Sequence, residues 1–255
     1  MFFETKNGMK PHPFTHNIYT ALVVPRPIGW ISTVNTEGIV NLAPFSFFNA
    51  VSGNPPCVIY CPNGWKSGTR EAKDSLVNAE ETGEFVFNMC TYELREQMNA
   101  TSKHMPNSID EMAFAELDAA PCELVKPPRV KKSPIVLECK YLQTVKLPEP
   151  GDGSSNNLVI GQVVGVHVSD AVITDGIIDI QKVNPLSRLG YLDYASLGQV
   201  FSMDRPEVWR ETGSDAVRTA FAAHYYNEAY RRLGQHPRLI GPVMQLLDGP
   251  VYMHQ

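Results

Sequence analysis

Three stretches of the 255-residue chain combine residue types suited to chemistry on a flat, charged ligand. "NLAPFSFFNAVSGNPP" (Asn41 to Pro56) sets Phe45, Phe47, Phe48 and Val51, which want a packed core, among Asn41, Pro44, Ser46, Asn49 and Ser52, which a core must hydrogen-bond or exclude. "RPIGWISTV" (Arg26 to Val34) carries a positive charge, Trp30, Ser32 and Thr33 on one strand-like run. "KSGTREAKDS" (Lys66 to Ser75) supplies Arg70, Lys73 and a helix start, whose free N–H groups attract phosphate. Aromatic walls, backbone amides exposed by broken strand pairing, and hydroxyls beside basic groups suit a phosphorylated heteroaromatic cofactor. The same residues also suit a sandwich core with polar edges.

Other chemistries find little support. "GDGSSN" (Gly151 to Asn156) lacks the third glycine and the following helix of a dinucleotide fingerprint, and reads as a turn. His12 and His16 stand four apart in "HPFTH", but Pro13 excludes a regular helix and no third ligand is near, so no metal is expected. His167 in "VGVHV" reads as a satisfied strand histidine, and His104 in "TSKHMP" as a loop residue. No Ser-His-Asp order emerges, and no dedicated catalytic side chain is expected.

The composition is that of an ordinary globular chain: 43 % hydrophobic and 19 % charged residues in 28.4 kDa. A net charge of −5 argues against nucleic acid or an anionic membrane as partner. The N-terminus lacks a signal-peptide pattern, and no apolar run approaches the ~18 residues of a membrane span. Five cysteines form no C-x-x-C, and Cys57 and Cys61 of "CVIYC" fall on one strand face; reduced thiols and a cytoplasmic location are expected.

These residues must be positioned mostly by strands. Strand signals cover 29–34, 39–45, 57–61 and 84–89, with longer strands within 127–147 and 157–170, separated by Gly, Pro and Asn turns. A helix over "KDSLVNAEETGE" would be capped by Asp74 or Ser75 and ended by Gly83, and a second helical stretch covers 91–104. Gly161 and Gly165 suit a strand that bends around a barrel. From about residue 206 the pattern changes to an amphipathic helix, 214–234, and a proline-broken apolar tail. The expected organisation is a mainly β domain over 1–205 and a helical extension over 206–255.

At these residues the chain resembles the flavin reductase-like family of FMN-binding split barrels. The resemblance rests on "VPRPIGWISTVNTEGIVNLAPFSFFNAVSGNPPCVIY", on "KDSLVNAEETGEFVFNM" with Ser75 where threonine is commoner, and on "NPLSRLGYLDYASLG". It covers roughly residues 18 to 205. It implies a six-stranded Greek-key split barrel with flanking helices, dimeric, with FMN near the subunit interface. Ser46, Phe47, Phe48 and Asn49 would then face the isoalloxazine ring, with Trp30, Ser32 and Thr33 on the adjacent strand. Arg26, Lys73 and the turn from Ser67 to Thr69 would hold the phosphate. Arg188 and Tyr194 would either complete the site or pack the barrel.

The resemblance also implies an NAD(P)H-dependent flavin reductase, in which hydride passes to flavin N5 and the reduced flavin serves a monooxygenase or other electron acceptor. Two alternatives stand beside it: an FMN-containing electron carrier reduced by a partner protein, and a non-enzymatic barrel that binds a partner through its tail.

Overall fold

β-branched and aromatic runs between turn residues set the strands. They are Gly29–Val34 (β1), Val40–Phe45 (β2), Phe48–Gly53 (β3), Pro56–Tyr60 (β4), Glu84–Met89 (β5), Ile135–Leu147 (β6) and Asn156–Val168 (β7). The computed structural model describes residues 1–149 and 151–203. In it these strands form one antiparallel sheet in the order β2-β1-β5-β6-β7-β4-β3.

β2 and β3 are therefore opposite edges of the sheet, yet only Ser46 and Phe47 separate them along the chain. Laid flat, six gaps of ~4.8 Å would hold the edges about 29 Å apart. The steps from Phe45 to Phe48 span at most about 11 Å. The sheet must curl until its edges meet, and it does so without a ladder between them: a split barrel. The Asn41–Pro56 run is thus two strands and a corner, which makes seven strands instead of the expected six. The Cys61 N–H donates to the Phe47 carbonyl at 3.0 Å and pins that corner.

The barrel interior is aromatic. Phe48 stacks on Phe87 with ring centroids 4.6 Å apart, and Tyr60 meets Phe85 edge-on at 5.1 Å. β7 shifts register at Ile160/Gly161 and Val163/Gly165, so both expected glycines mark bends. At Gly161 a Cβ would stand 2.3 Å from the Phe85 ring, so the strand can pass that ring only as glycine.

Helix α1 (Asp74–Thr82) ends at Gly83 with φ 73°, as its sequence requires. Its N-cap is Lys73, with no side chain capping it; neither Asp74 nor Ser75 takes that role. The 91–104 stretch shortens to a 3-10 turn, Tyr92–Leu94, and α2 (Arg95–Ala100). A further turn of helix, α3 (Glu111–Phe114), is capped by Asp110, which accepts from the Ala113 N–H. The 127–147 segment becomes strand only from Ile135, because Arg129–Val130 pairs instead with Ala119–Ala120. The chain divides into two units, Met1–Val200 and Phe201–Gln255. The helix expected over 214–234 and the apolar tail lie outside the described residues.

Candidate functional site

As an edge strand, β2 keeps one side of its backbone unpaired. The Leu42 N–H points off the sheet and donates to Glu111 Oε2 at 2.6 Å. Strand alternation gives Pro44 the next outward position, where a missing N–H costs no ladder bond. Against this edge come the start of α1, the loop after α2 and the start of α3. The pocket between them is lined by Asn41, Pro44, Phe45, Lys73, Ser75 and His104, with Lys66 and Glu111 at its walls.

Three lysines, Lys66, Lys73 and Lys103, outnumber two acids, Asp74 and Glu111, in the lining. Lys66 is buried and bonds Asp74 Oδ1 at 2.5 Å. Lys73 Nζ lies in hydrogen-bond contact with His104 Nε2. Burial lowers the Lys73 pKa, Asp74 opposes this, and Lys66 adds to it. Burial, then Lys73 and Lys66, lower that of His104, so the imidazole is the acceptor and the ammonium the donor. Burial pushes the Glu111 carboxyl up to about 7, against the Leu42 N–H and with the help of Asp74.

Two polar atoms in the same lining, Asn41 Nδ2 and Ser75 Oγ, are buried without a partner among the described residues. Leaving a buried donor unpaired costs about 1–3 kcal/mol. An amide, a hydroxyl, an ammonium and an uncapped helix start are the donor set that a polyol phosphate needs. These residues fit the ribityl-phosphate end of FMN. The pocket has a volume of about 100 Å³. Phe45, Ser46 and Phe47 continue the wall along the chain.

Of the residues predicted for the phosphate, Lys73 alone lines this pocket. Arg26 is buried and committed elsewhere. Its guanidinium donates to the carbonyls of Thr20, Val23 (2.7 Å) and Leu189 (2.9 Å), and its Nε reaches Ser46 Oγ at 3.4 Å. Arg26 thus clamps the chain entry and the "SRLG" segment to the barrel corner. Ser67 and Thr69 stand in an exposed turn, where the Thr69 hydroxyl donates to the Lys66 carbonyl at 3.2 Å.

Trp30, Ser32 and Thr33 are fully buried, because β1 is an inner strand covered on both faces. Each has an internal partner. Trp30 Nε1 donates to Thr101 Oγ1 (2.9 Å), Ser32 Oγ donates to the Pro128 carbonyl (2.6 Å), and Thr33 Oγ1 accepts from Asn78 Nδ2 (3.0 Å). Trp30 bonds a residue of the pocket lining, Thr101, and none of the three offers an open face to a ring.

The Ser46–Asn49 group splits. Phe48 turns into the core, Asn49 faces outward with its Oδ1 accepting from the Ala50 N–H, and Phe47 is 38 % exposed beside Arg26 at 5.7 Å. Arg188 and Tyr194 stack on each other at 4.2 Å and line a different cavity. Asn41, Ser75 and Glu111 line this pocket but were not among the predicted residues, and His104 was read as a loop histidine. Asn41 and Ser75 lay within the quoted stretches, whereas nothing local marks Glu111.

His167 has its partner, as expected: Nε2 lies 2.5 Å from Glu138 Oε1. Cys122, Glu138 and His167 place their ligand atoms within 4.8 Å of one another. Glu138 also accepts from the Glu123 and Leu124 N–H groups (2.8 and 2.6 Å), so its carboxylate is already satisfied and ties a loop to the barrel wall. Among the described residues no helix is long and apolar enough to cross a membrane.

Residues 21–184 match the family described as flavin reductase like domain. The chain belongs to that family. An uncharacterised protein from Halalkalibacterium halodurans is 34 % identical over 193 residues, which cover 76 % of this chain and 91 % of the relative. Nitrilotriacetate monooxygenase component B from Bacillus cereus superposes with a TM-score of 0.71 at 32 % identity, covering 80 % of this chain and 98 % of that one. The 2-nitrobenzoate 2-nitroreductase NbaA of Pseudomonas fluorescens gives a TM-score of 0.69 at 23 % identity over 84 % of this chain and all of that one, and shares the fold. The mainly β split barrel of this flavin reductase-like protein is the architecture that its sequence implied.

Proposed function

We propose that the protein is an FMN-binding, NAD(P)H-dependent flavin reductase. The observation that carries this reading is the pairing of two orphaned donors, Asn41 Nδ2 and Ser75 Oγ, with the Lys73–His104 contact at an uncapped helix start. Lys73, Ser75 and the first N–H groups of α1 would hold the phosphate, and His104 would position Lys73 before the phosphate arrives. Asn41 would bond the ribityl chain. Phe45, Ser46 and Phe47 would form the wall along the ring, with the outward backbone groups of β2 near its polar edge. Bound there, FMN would supply a two-electron acceptor for the hydride of a dihydronicotinamide. This chemistry asks the protein to bind and orient, and to donate hydrogen bonds where charge develops. It needs no side-chain base.

A homodimer is part of the same proposal. What supports it is the exposure of Phe47 and Val51 beside the barrel's split and of Leu142, Val145 and Val166 on the long β6–β7 hairpin, apolar side chains that a partner copy would cover. The electron acceptor would be a small molecule or a partner such as a monooxygenase. Kinetics of NADH and NADPH oxidation by the purified full chain, with and without added FMN or FAD, test the reading. Flavin-dependent turnover supports it. A yellow protein inert to both nicotinamides would favour the electron carrier, and a colourless protein that binds no flavin would overturn the assignment.

A further inference from the structure

A second cavity, of about 710 Å³, adjoins the first, and Ser102 lines both. Its size lies in the range of pockets that enclose a whole small ligand. Two arginines reach it from distant parts of the chain, Arg95 from α2 and Arg188 from the short ladder opposite Arg26.

Both arginines are held the same way. The Arg95 guanidinium lies over the Tyr92 ring at 4.1 Å and donates to the Tyr92 carbonyl at 2.8 Å. The Arg188 guanidinium lies over the Tyr194 ring at 4.2 Å and donates to the Tyr191 carbonyl. Stacking occupies the face of each group and leaves edge N–H donors of each fork available, an arrangement that suits bidentate recognition of phosphate. Arg188 has no carboxylate partner among the described residues. The acid in the lining, Glu96, is largely exposed and meets Arg95 Nε at 3.4 Å. The cavity therefore carries an excess of fixed positive charge.

The aromatic walls narrow the choice of anion. A bare inorganic anion needs neither this volume nor two tyrosine rings, and an aliphatic acid makes no use of them. A flat heteroaromatic ring carrying phosphate uses both. We propose that this cavity binds the adenosine diphosphate portion of the nicotinamide dinucleotide, with Arg95 and Arg188 holding its phosphates and the tyrosines bordering its base. The assignment rests on the reductase reading. It accounts for a dinucleotide site in a chain that has no glycine-rich fingerprint, because side-chain guanidinium groups take over the role of backbone amides.

The test uses ADP, which has the phosphates and the base but no redox chemistry. Calorimetric titration of the full-length, FMN-saturated protein with ADP should show binding. Arg95→Ala and Arg188→Ala should each weaken it about tenfold or more, and leave FMN affinity within about twofold, since neither residue lines the phosphate pocket. Inorganic phosphate should compete only weakly. Thermal melts check folding, and Arg188→Lys, which keeps the charge and loses the fork, replaces any alanine variant that unfolds.

No ADP binding by the wild type, ADP affinity unchanged from wild type in either arginine variant, or inorganic phosphate matching ADP would each overturn the proposal. If NAD(P)H is oxidised with a KM that neither variant raises, the cavity assignment falls and the reductase reading stands. If ADP binds through the arginines while neither nicotinamide is oxidised, the site stands as a nucleotide site and the reductase reading falls.

Discussion

Lys73 Nζ rests against His104 Nε2 across the pocket mouth, a cation held by a neutral imidazole from a loop 31 residues further along the chain. Loop 101–105 is positioned in turn by Thr101. Its hydroxyl accepts from Trp30 Nε1 and donates to the Met98 carbonyl, both at 2.9 Å. The tryptophan that the sequence offered as a flavin contact therefore holds the loop that carries His104.

The first prediction concerns Lys73. Lys73→Ala should weaken FMN binding by about 1.5–3 kcal/mol, about ten- to a hundredfold, and leave riboflavin binding unchanged. Fluorescence titration of the apoprotein with both ligands measures this. An equal loss for the two would remove the phosphate from this pocket.

The Lys73–His104 pair also sets a pH dependence. Burial and two lysines depress the His104 pKa, and a bound phosphate dianion would reverse that, so FMN binding should take up protons. A group whose pKa is higher in the complex favours binding at low pH, and that gain disappears as pH rises through the complex's value. Above pH ~7, where the phosphate is already dianionic, affinity should fall with pH. Two variants should flatten the profile: His104→Ala, and Glu111→Gln, whose parent carboxyl faces the same pocket along with Lys66, Lys73, Lys103 and Asp74. A profile identical in wild type and both variants would contradict this account. Neither His104→Ala nor His167→Ala should slow hydride transfer at saturating flavin by more than about tenfold, or ~1.4 kcal/mol.

Glu111 carries a stability signature of its own. Its folded-state value of about 7 lies above the ordinary 4.5, so its contribution is fully present below 4.5 and is lost as pH rises to about 7. The slope in that window is at most roughly 1.4 kcal/mol per pH unit. Glu111→Gln keeps an acceptor for the Leu42 N–H and should remove the slope, which makes the variant more stable than the wild type at pH ~8. Urea denaturation of the flavin-free protein across this range checks it; an unchanged slope would assign the dependence to another group.

Gly161→Ala tests the barrel. The added Cβ would meet the Phe85 ring at 2.3 Å, an overpacking that should cost about 1–3 kcal/mol. Phe85→Leu in the same chain should recover part of the loss, since the smaller side chain vacates the contact. Additive destabilisation in the double variant would show that the two positions do not share that space.

Much of this architecture was legible in the sequence, for local reasons. The alternation and turn residues of 29–34, 57–61 and 84–89 place three strands almost to the residue, Gly83 ends α1, and Gly161 and Gly165 mark bends in β7. Lys73 and the helix start stood out as an anion site because charge and helix polarity are properties of adjacent residues. The family itself was legible through the spacing of its motifs.

What the tertiary structure alone decided is which of those residues line an open pocket. Trp30, Ser32, Thr33 and Arg26 have the chemistry of a binding site, but an inner strand covered on both faces and three carbonyls at the barrel corner consume it. Asn41, Ser75, His104 and Glu111 come from four separate segments and meet where helices and a loop pack against the β2 edge. Residue type and spacing determine what a side chain is able to do. Whether its hydrogen-bonding capacity is spent on the protein or left for a ligand depends on neighbours far away in sequence, which only the folded barrel and its flanking helices bring into contact.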